Sequence, residues 1–214
     1  MLFRSTVGFG MGNFNDVLLE QLADRGNGNY SYIDSLTEAR ELFVENLTST
    51  LQVIAKDAKV QVDFNPDVVE SYRLLGYENR DVADRDFRND SVDAGELGVG
   101  HTATALYLVQ LRPGGEGRIA TVQMRWQDPE TGEAREINGN FNAWDLAGSF
   151  EDTDPHYQLA VTVATFAEVL RESPYVRCTL GDLAWRAKDV ARLLPEDEEV
   201  SEFADLVRQA ARMR

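Results

Sequence analysis

The stretch Thr6–Asp16, "TVGFGMGNFND", sets Gly8, Gly10 and Gly12 two apart, directly after a short apolar run and directly before a helical pattern. Glycines in that place are read either as a phosphate-cradling loop or as a strand-to-helix connection. A dinucleotide fingerprint needs glycines at its first, third and sixth positions, the last to let helix and strand pack closely. Counting from Gly8 gives Gly10 and then Asn13, and counting from Gly10 gives Gly12 and then Asn15, so both registers fail. No lysine is followed by Ser or Thr, as a phosphate-binding loop would require. What remains is a connection in which glycine supplies backbone conformations closed to other residues.

Outward from the glycines the chain alternates strand and helix. Asn13 is the expected cap of a helix in which Phe14, Val17, Leu18 and Leu22 form an apolar stripe, and "GNGN", Gly26 to Asn29, ends it. The short strand "YSYI" follows. Ser35 and Glu38 fit a capping box, after which Leu36, Ala39, Phe43, Leu47, Leu51 and Ile54 fall on one helical face. Such alternation implies a parallel sheet covered by helices, although two strands are too few to stand alone.

At Lys56 the period changes from helical to twofold. Ala58, Val60, Val62 and Phe64 alternate with Lys59, Gln61 and Asp63; Ala103, Ala105, Tyr107, Val109 and Leu111 alternate in a later run, and Ala120, Val122, Met124 and Trp126 in another. "VVESYRLLGY" is rich in strand formers, and "RPGGEG" and "DPETG" supply turns. Asp154 and Pro155 then open a helix, "HYQLAVTVATFAEVLRE", apolar nearly all round as in a buried helix, and two more helices near 179–194 and 201–213 are split by Pro195 and "EDEE". The expected fold class is α+β in three parts. Residues 1–55 end an α/β unit, 56–145 form an antiparallel sandwich-like unit, and 146–214 are helical.

Composition narrows the function classes. Of 214 residues 37 are Asp or Glu and 21 Lys or Arg, giving a formal net charge of -16 that repels nucleic-acid phosphates and anionic lipid alike. Nucleic acid is therefore not an expected partner. The single Cys178 excludes an internal disulfide and a multi-thiolate metal site. The start, "LFRSTVGFG", lacks the long apolar stretch of an export signal or a membrane span, so no membrane insertion is expected of this chain.

The motifs "GFGMGNFND", "LADRGNGNYSYID" and "GYENR" together resemble the end of the von Willebrand factor type A domain of bacterial lipoproteins and its junction with the uncharacterised C-terminal domain that follows there. "AGELGVGHTATALY" extends the resemblance to Tyr107, and the helical tail with "ATFAEVLRESPY" is similar in kind. The resemblance implies that residues 1–55 are the C-terminal remnant of a Rossmann-like von Willebrand type A domain. In it the glycine stretch joins the penultimate sheet strand to the next helix. It also implies a protein partner and the cell envelope as the location of the longer protein. Domains of this kind hold magnesium or manganese through an Asp-x-Ser-x-Ser loop, a threonine and an aspartate, all upstream of that strand. No Asp-x-Ser-x-Ser occurs in this sequence, so no metal ligand and no cofactor carries over, and the chain is expected to be a C-terminal piece or a truncated gene product.

Other candidate chemistry is weaker. Asp81, Asp84, Asp86, Asp90 and Asp93 offer hard oxygen ligands for calcium, but their spacing is not that of an EF-hand loop, and a solvated loop is the better reading. His101 and His156 have no neighbour that suggests a catalytic pairing, and Cys178 fits a packing position at a helix start. Trp126, Trp144 and Trp185, with Tyr72, Tyr77 and Tyr107, are read as core rather than as a stacking surface for a ligand. No catalytic, cofactor or metal residue is assigned. The expected role is a non-enzymatic protein-interaction or assembly module. The alternatives are an acid-rich hydrolase working through Asp or Glu, and a secreted calcium-dependent structural module.

Overall fold

The computed structural model describes residues 5–10, 15–26, 28, 30–45, 52–76, 82–92, 94–100 and 102–213. The fold is α+β, and the chain divides into two compact units. The first comprises residues 1–65, 80–103 and 118–141; the second comprises 66–79, 104–117 and 142–214. This partition cuts across the expected linear division at 55 and 145. A strand belongs with whatever it pairs with, and here pairing partners are distant in sequence.

In the first unit, β1 (Thr6–Phe9) pairs in parallel with β2 (Tyr30–Ile33) across the crossover helix α1 (Asp16–Asp24). The expected cap, Asn13, lies outside the described residues, as do Gly12 and Phe14. Asn15 caps α1, its side-chain oxygen accepting from the Leu18 N–H at 3.1 Å. Half of the anticipated box forms at the start of α2 (Leu36–Arg40): the Glu38 N–H donates to Ser35 Oγ, while the Glu38 carboxylate accepts from the N–H of Asp34 rather than of Ser35. A π-helical turn, Glu41–Glu45, follows. Leu47 and Leu51 lie outside the described residues. Ile54, expected on the helix, is already in β3 (Val53–Phe64).

The same unit holds an antiparallel pairing of β3 with β5 (Gly95–Gly98) on one side and with β7 (Arg118–Gln127) on the other, and β8 (Ala134–Asn142) follows β7 to give the order β5-β3-β7-β8. A bulge at Asp57, whose φ is 49°, shifts the register between Lys56 and Lys59; its carboxylate accepts from the Ala94 N–H. Beyond it Val60, Val62 and Phe64 face Met124, Val122 and Ala120 in register. The hairpin turn to β8 is built by Asp128, which accepts from the N–H groups of Glu130 and Thr131, and these bonds hold its carboxyl below the usual range.

In the second unit β4 (Val69–Leu75) and β6 (Leu106–Leu111) form an antiparallel ribbon. β6 therefore starts later than the sequence pattern had it, since Ala103 and Ala105 precede the strand. Gly115 closes the turn after β6; a Cβ there would meet the Val68 side chain and carbonyl at 3.1 Å, so glycine lets the two segments approach without displacing one another. The helices are α3 (Pro155–Leu170), α4 (Leu180–Leu193) and α5 (Glu198–Met213). Phe166, Leu180, Leu183, Ala187 and Val207 are their common core, with Phe166 and Phe203 edge to face at 5.8 Å between ring centres. Thr179 and Asp182 cap α4 reciprocally.

Helix α3 is not buried all round. Its inward side chains include Gln158, Thr162, Phe166 and Glu168, while Val163 and Leu170 are exposed. The polar residues are inside because each has a partner there. Gln158 donates to the carbonyls of Glu151 and Thr153, Thr162 donates to the Gln158 carbonyl, and Glu168 accepts from Arg73 of β4 at 2.8 Å.

Candidate functional site

The four-stranded sheet has a polar and an apolar face, and around Lys59 burial falls on the polar one. Lys59 is 5% exposed, whereas its neighbour Val60 is 56% exposed. Alternation therefore holds along β3, but at Lys59 and Val60 the covered side is the polar one. The physical reason is the segment 82–92, which lies over the Lys59 side. The Lys59 ammonium donates to the carbonyls of Asn89 at 2.7 Å and Asp86 at 3.4 Å, so its charge is met by fixed dipoles. Phe87 is buried in the same segment.

Ion pairs fasten that segment further. Arg88 makes a two-pronged contact with Glu136 of β8, at 2.6 and 3.0 Å, and reaches Gln123 of β7. Arg125 of β7 binds Asp90 at 2.8 Å and approaches Glu136 at 3.7 Å. The Arg88 hydrogen bond holds the Glu136 carboxyl below its ordinary value. Asp84, Asp86 and Asp90 thus sit in a strap tied to the sheet, while Asp81 and Asp93 lie outside the described residues. Among the described residues no three His, Cys, Asp or Glu side chains are gathered where a metal could be held.

The glycine stretch joins strand to helix. Gly10 has φ 73°, its N–H donates to the Ile33 carbonyl, and its carbonyl accepts from the Tyr32 hydroxyl. A Cβ at Gly8 would lie 3.3–3.5 Å from Tyr30, Tyr32 and Leu19, so that glycine lets β1, α1 and β2 close on one another. Tyr30 donates to Asp16, and this bond to a carboxylate pushes its phenol up to about 12. The surface of this element stays apolar and open: Phe9, Val17, Leu18, Leu22 and Leu36 are exposed, and Phe9 stacks on Phe43, which is exposed as well.

The remaining candidates do not converge. His101 and Tyr77 lie outside the described residues. His156 is exposed beside its helix cap Asp154, with Nδ1 3.4 Å from the carboxylate. Cys178 packs half-buried against the helical core, as expected. Trp126 is half-buried, but Trp144 and Trp185 are 73% and 67% exposed and Tyr72 is exposed too, so the core reading fails for these three. Trp185 lies under the Lys188 ammonium, 5.5 Å from the ring centre.

What the sequence reading passed over is the outer strand. The contacts Thr121–Asn140 and Arg125–Glu136 put odd positions of β7 beside even positions of β8 on the polar face. Ile137, Gly139 and Phe141 consequently share the other face with Val60, Val62, Val122 and Met124. Val60, Val122, Ile137 and Phe141 are exposed there. The available signal was "INGNFN", an uncharged run with apolar residues at alternate visible positions in an acidic chain.

Comparison with known proteins covers most of the chain. The family described as the C-terminal part of uncharacterized protein YfbK matches residues 49–116 and 114–213. The uncharacterized protein YfbK of Escherichia coli (strain K12) is 32% identical over 194 residues, which is 82% of this chain and 33% of that protein. The chain thus spans one third of the length of that relative. Two solved structures are also similar to it. The ArnB paralog VWA2 from Sulfolobus acidocaldarius is 17% identical, with 93% of this chain and 47% of the other covered and a TM-score of 0.39. The von Willebrand factor type A protein from Catenulispora acidiphila is 16% identical, with 91% and 49% covered and a TM-score of 0.48. On the family match, the chain belongs to the YfbK C-terminal family.

Proposed function

We propose that this chain is a non-enzymatic protein-interaction or assembly module of a von Willebrand factor type A protein of the bacterial cell envelope. The observation that carries the reading is the open apolar surface of β1, α1 and β2, where Val17, Leu18 and Leu22 stand exposed along one helix. A parallel two-stranded element with so little of its apolar surface covered is a piece of a larger assembly, because isolated two-strand sheets are marginal in water. The von Willebrand part of the proposal rests on the motifs of residues 5–80, and the envelope location on the same resemblance. The metal of such domains does not fit the side chains present: the sequence has no Asp-x-Ser-x-Ser loop. Divalent ions are then held only diffusely by the acidic surface, and ordinary salt displaces them. No helix among the described residues is long and apolar enough to cross a membrane.

The test is a photoreactive amino acid placed at exposed Leu18 and activated in cells. The expected result is a discrete protein adduct, suppressed by excess unlabelled chain. Recovery of the chain without any competed adduct overturns the reading.

A further inference from the structure

We propose that the outer edge of β8, with the apolar face it borders, binds an extended segment of a separate protein, apolar at alternate positions and basic at the end beside Glu130 and Glu133. The proposal deepens the interaction-module reading and rests on it.

The edge is open. β8 is the last strand in the order β5-β3-β7-β8, and among the described residues no strand pairs with its far side. Every residue from Ala134 to Phe141 is exposed, which a covered strand would not allow. A strand edge of this kind offers a row of backbone donors and acceptors to any chain that arrives extended.

The edge also lacks the devices that usually block such pairing. β8 contains no proline and no lysine, and its two charged side chains are engaged within the protein: Arg135 binds Asp128 at 2.9 Å and Glu136 binds Arg88. Ile137–Asn142 is uncharged. The opposite edge, β5, is by contrast only four residues long, with a glycine at each end.

Side chains set what is bound. Beside the edge, Ile137 and Phe141 flank Gly139, where a Cβ would meet nothing within 4 Å. An arriving strand that alternates apolar side chains would place them on this face, over Ile137 and Phe141 and into the gap at Gly139, extending the Val60–Val122 surface. No carboxylate stands on that face at positions 60, 62, 64, 120, 122, 124, 126, 135, 137, 139 or 141. At the hairpin end, Glu130 and Glu133 are exposed, and the nearby Arg135 is already paired. Basic residues on the arriving strand complement that end. A second copy of the chain fits poorly, because it would bring another net charge of -16 to the contact.

The probe is a synthetic peptide alternating valine and threonine with lysine at both ends, titrated into the full chain and followed by amide NMR. Saturable shifts centred on Ile137 to Phe141 are expected, with binding about tenfold weaker for the glutamate-ended peptide. Ile137→Lys, at a position already exposed, should lose the lysine-ended peptide while keeping the spectrum of the folded chain. The double variant Glu130→Lys, Glu133→Lys should reverse the preference and favour the glutamate-ended peptide. The proposal is overturned by absence of saturable shifts, by equal binding of both peptides, or by concentration-dependent self-association through the same amides without peptide. A competed adduct at Leu18 alongside any of these would leave the interaction-module reading standing and remove only this edge.

Discussion

The helical core of the second unit and the four-stranded sheet of the first both bury polar side chains, yet the helices close on a shared apolar core while one face of the sheet leaves Val60, Val122, Ile137 and Phe141 exposed. Around Leu183 and Val207 three helices meet, and the polar groups that share the interior, Gln158, Thr162 and Glu168, each have a named partner. In the sheet, Lys59 is enclosed by the strap 82–92 while Val60 and Ile137 on the reverse face stand in the open. The difference teaches that an apolar period states what a segment needs, not which part of the molecule supplies it. A helix bundle answers that need with its next helix in sequence. A sheet face must wait for another layer.

The contrast is sharpest at Leu183. Truncation to Ala should destabilise the helical unit by about 3 kcal/mol, the usual cost of a cavity in a closed core. Urea unfolding followed by far-ultraviolet circular dichroism measures it, and a loss below about 1 kcal/mol would mean that the bundle is as loosely covered as the sheet.

Glu168→Gln comes next, at about 2 kcal/mol, because the charge-assisted bond from Arg73 to a nearly buried carboxylate becomes a neutral one. The Arg73 hydrogen bond holds the Glu168 carboxyl below its ordinary value. The unfolded chain therefore binds the proton more readily than the folded one. Stability from this pair is complete above the ordinary carboxylate range and is lost as pH falls through that range toward the depressed value. Acid titration of stability should fall more steeply in the native protein than in Glu168→Gln; identical slopes would show that the pair is not formed.

On the sheet, Lys59→Ala removes the donor to two carbonyls and should cost about 1–2 kcal/mol. Hydrogen exchange of the 82–92 amides should rise with it. If exchange there is unchanged, the strap is held by Arg88 and Arg125 alone. The smallest effect belongs to Val60→Thr, which should stay within about 0.5 kcal/mol because its methyl groups already meet water. A loss of several times that size would show the face to be covered in the folded molecule.

Much of this architecture was legible in the sequence. Period-two runs located β3 and β7, Ser35 with Glu38 marked the start of α2, and Asp154 with Pro155 that of α3. Local chemistry decides these features within a few residues. The covered face of β3 was illegible because its partner, the carbonyl of Asn89, lies thirty residues away and is a backbone group that no side-chain pattern announces. Trp144 and Trp185 misled for a related reason: large aromatics bury when something is there to bury them, and periodicity does not report on that. The edge of β8 was written in "INGNFN", but an uncharged run becomes a surface only once pairing has placed it last in the sheet.

The pairing of Lys59 with Arg125 also has a consequence for the chain while it is being made. A ribosome adding about 5–20 residues per second brings out β7 on the order of seconds after β3, and α5 later still. For most of that interval β3 has no neighbour, and then only the four-residue β5, while β4, made next, waits for β6 in the same way. Slow, long-range closure of this type exposes strand edges to other nascent chains. The polar residues of β3 at Lys59, Gln61 and Asp63 then serve a second purpose, keeping one side of a waiting strand wetted until its partner arrives.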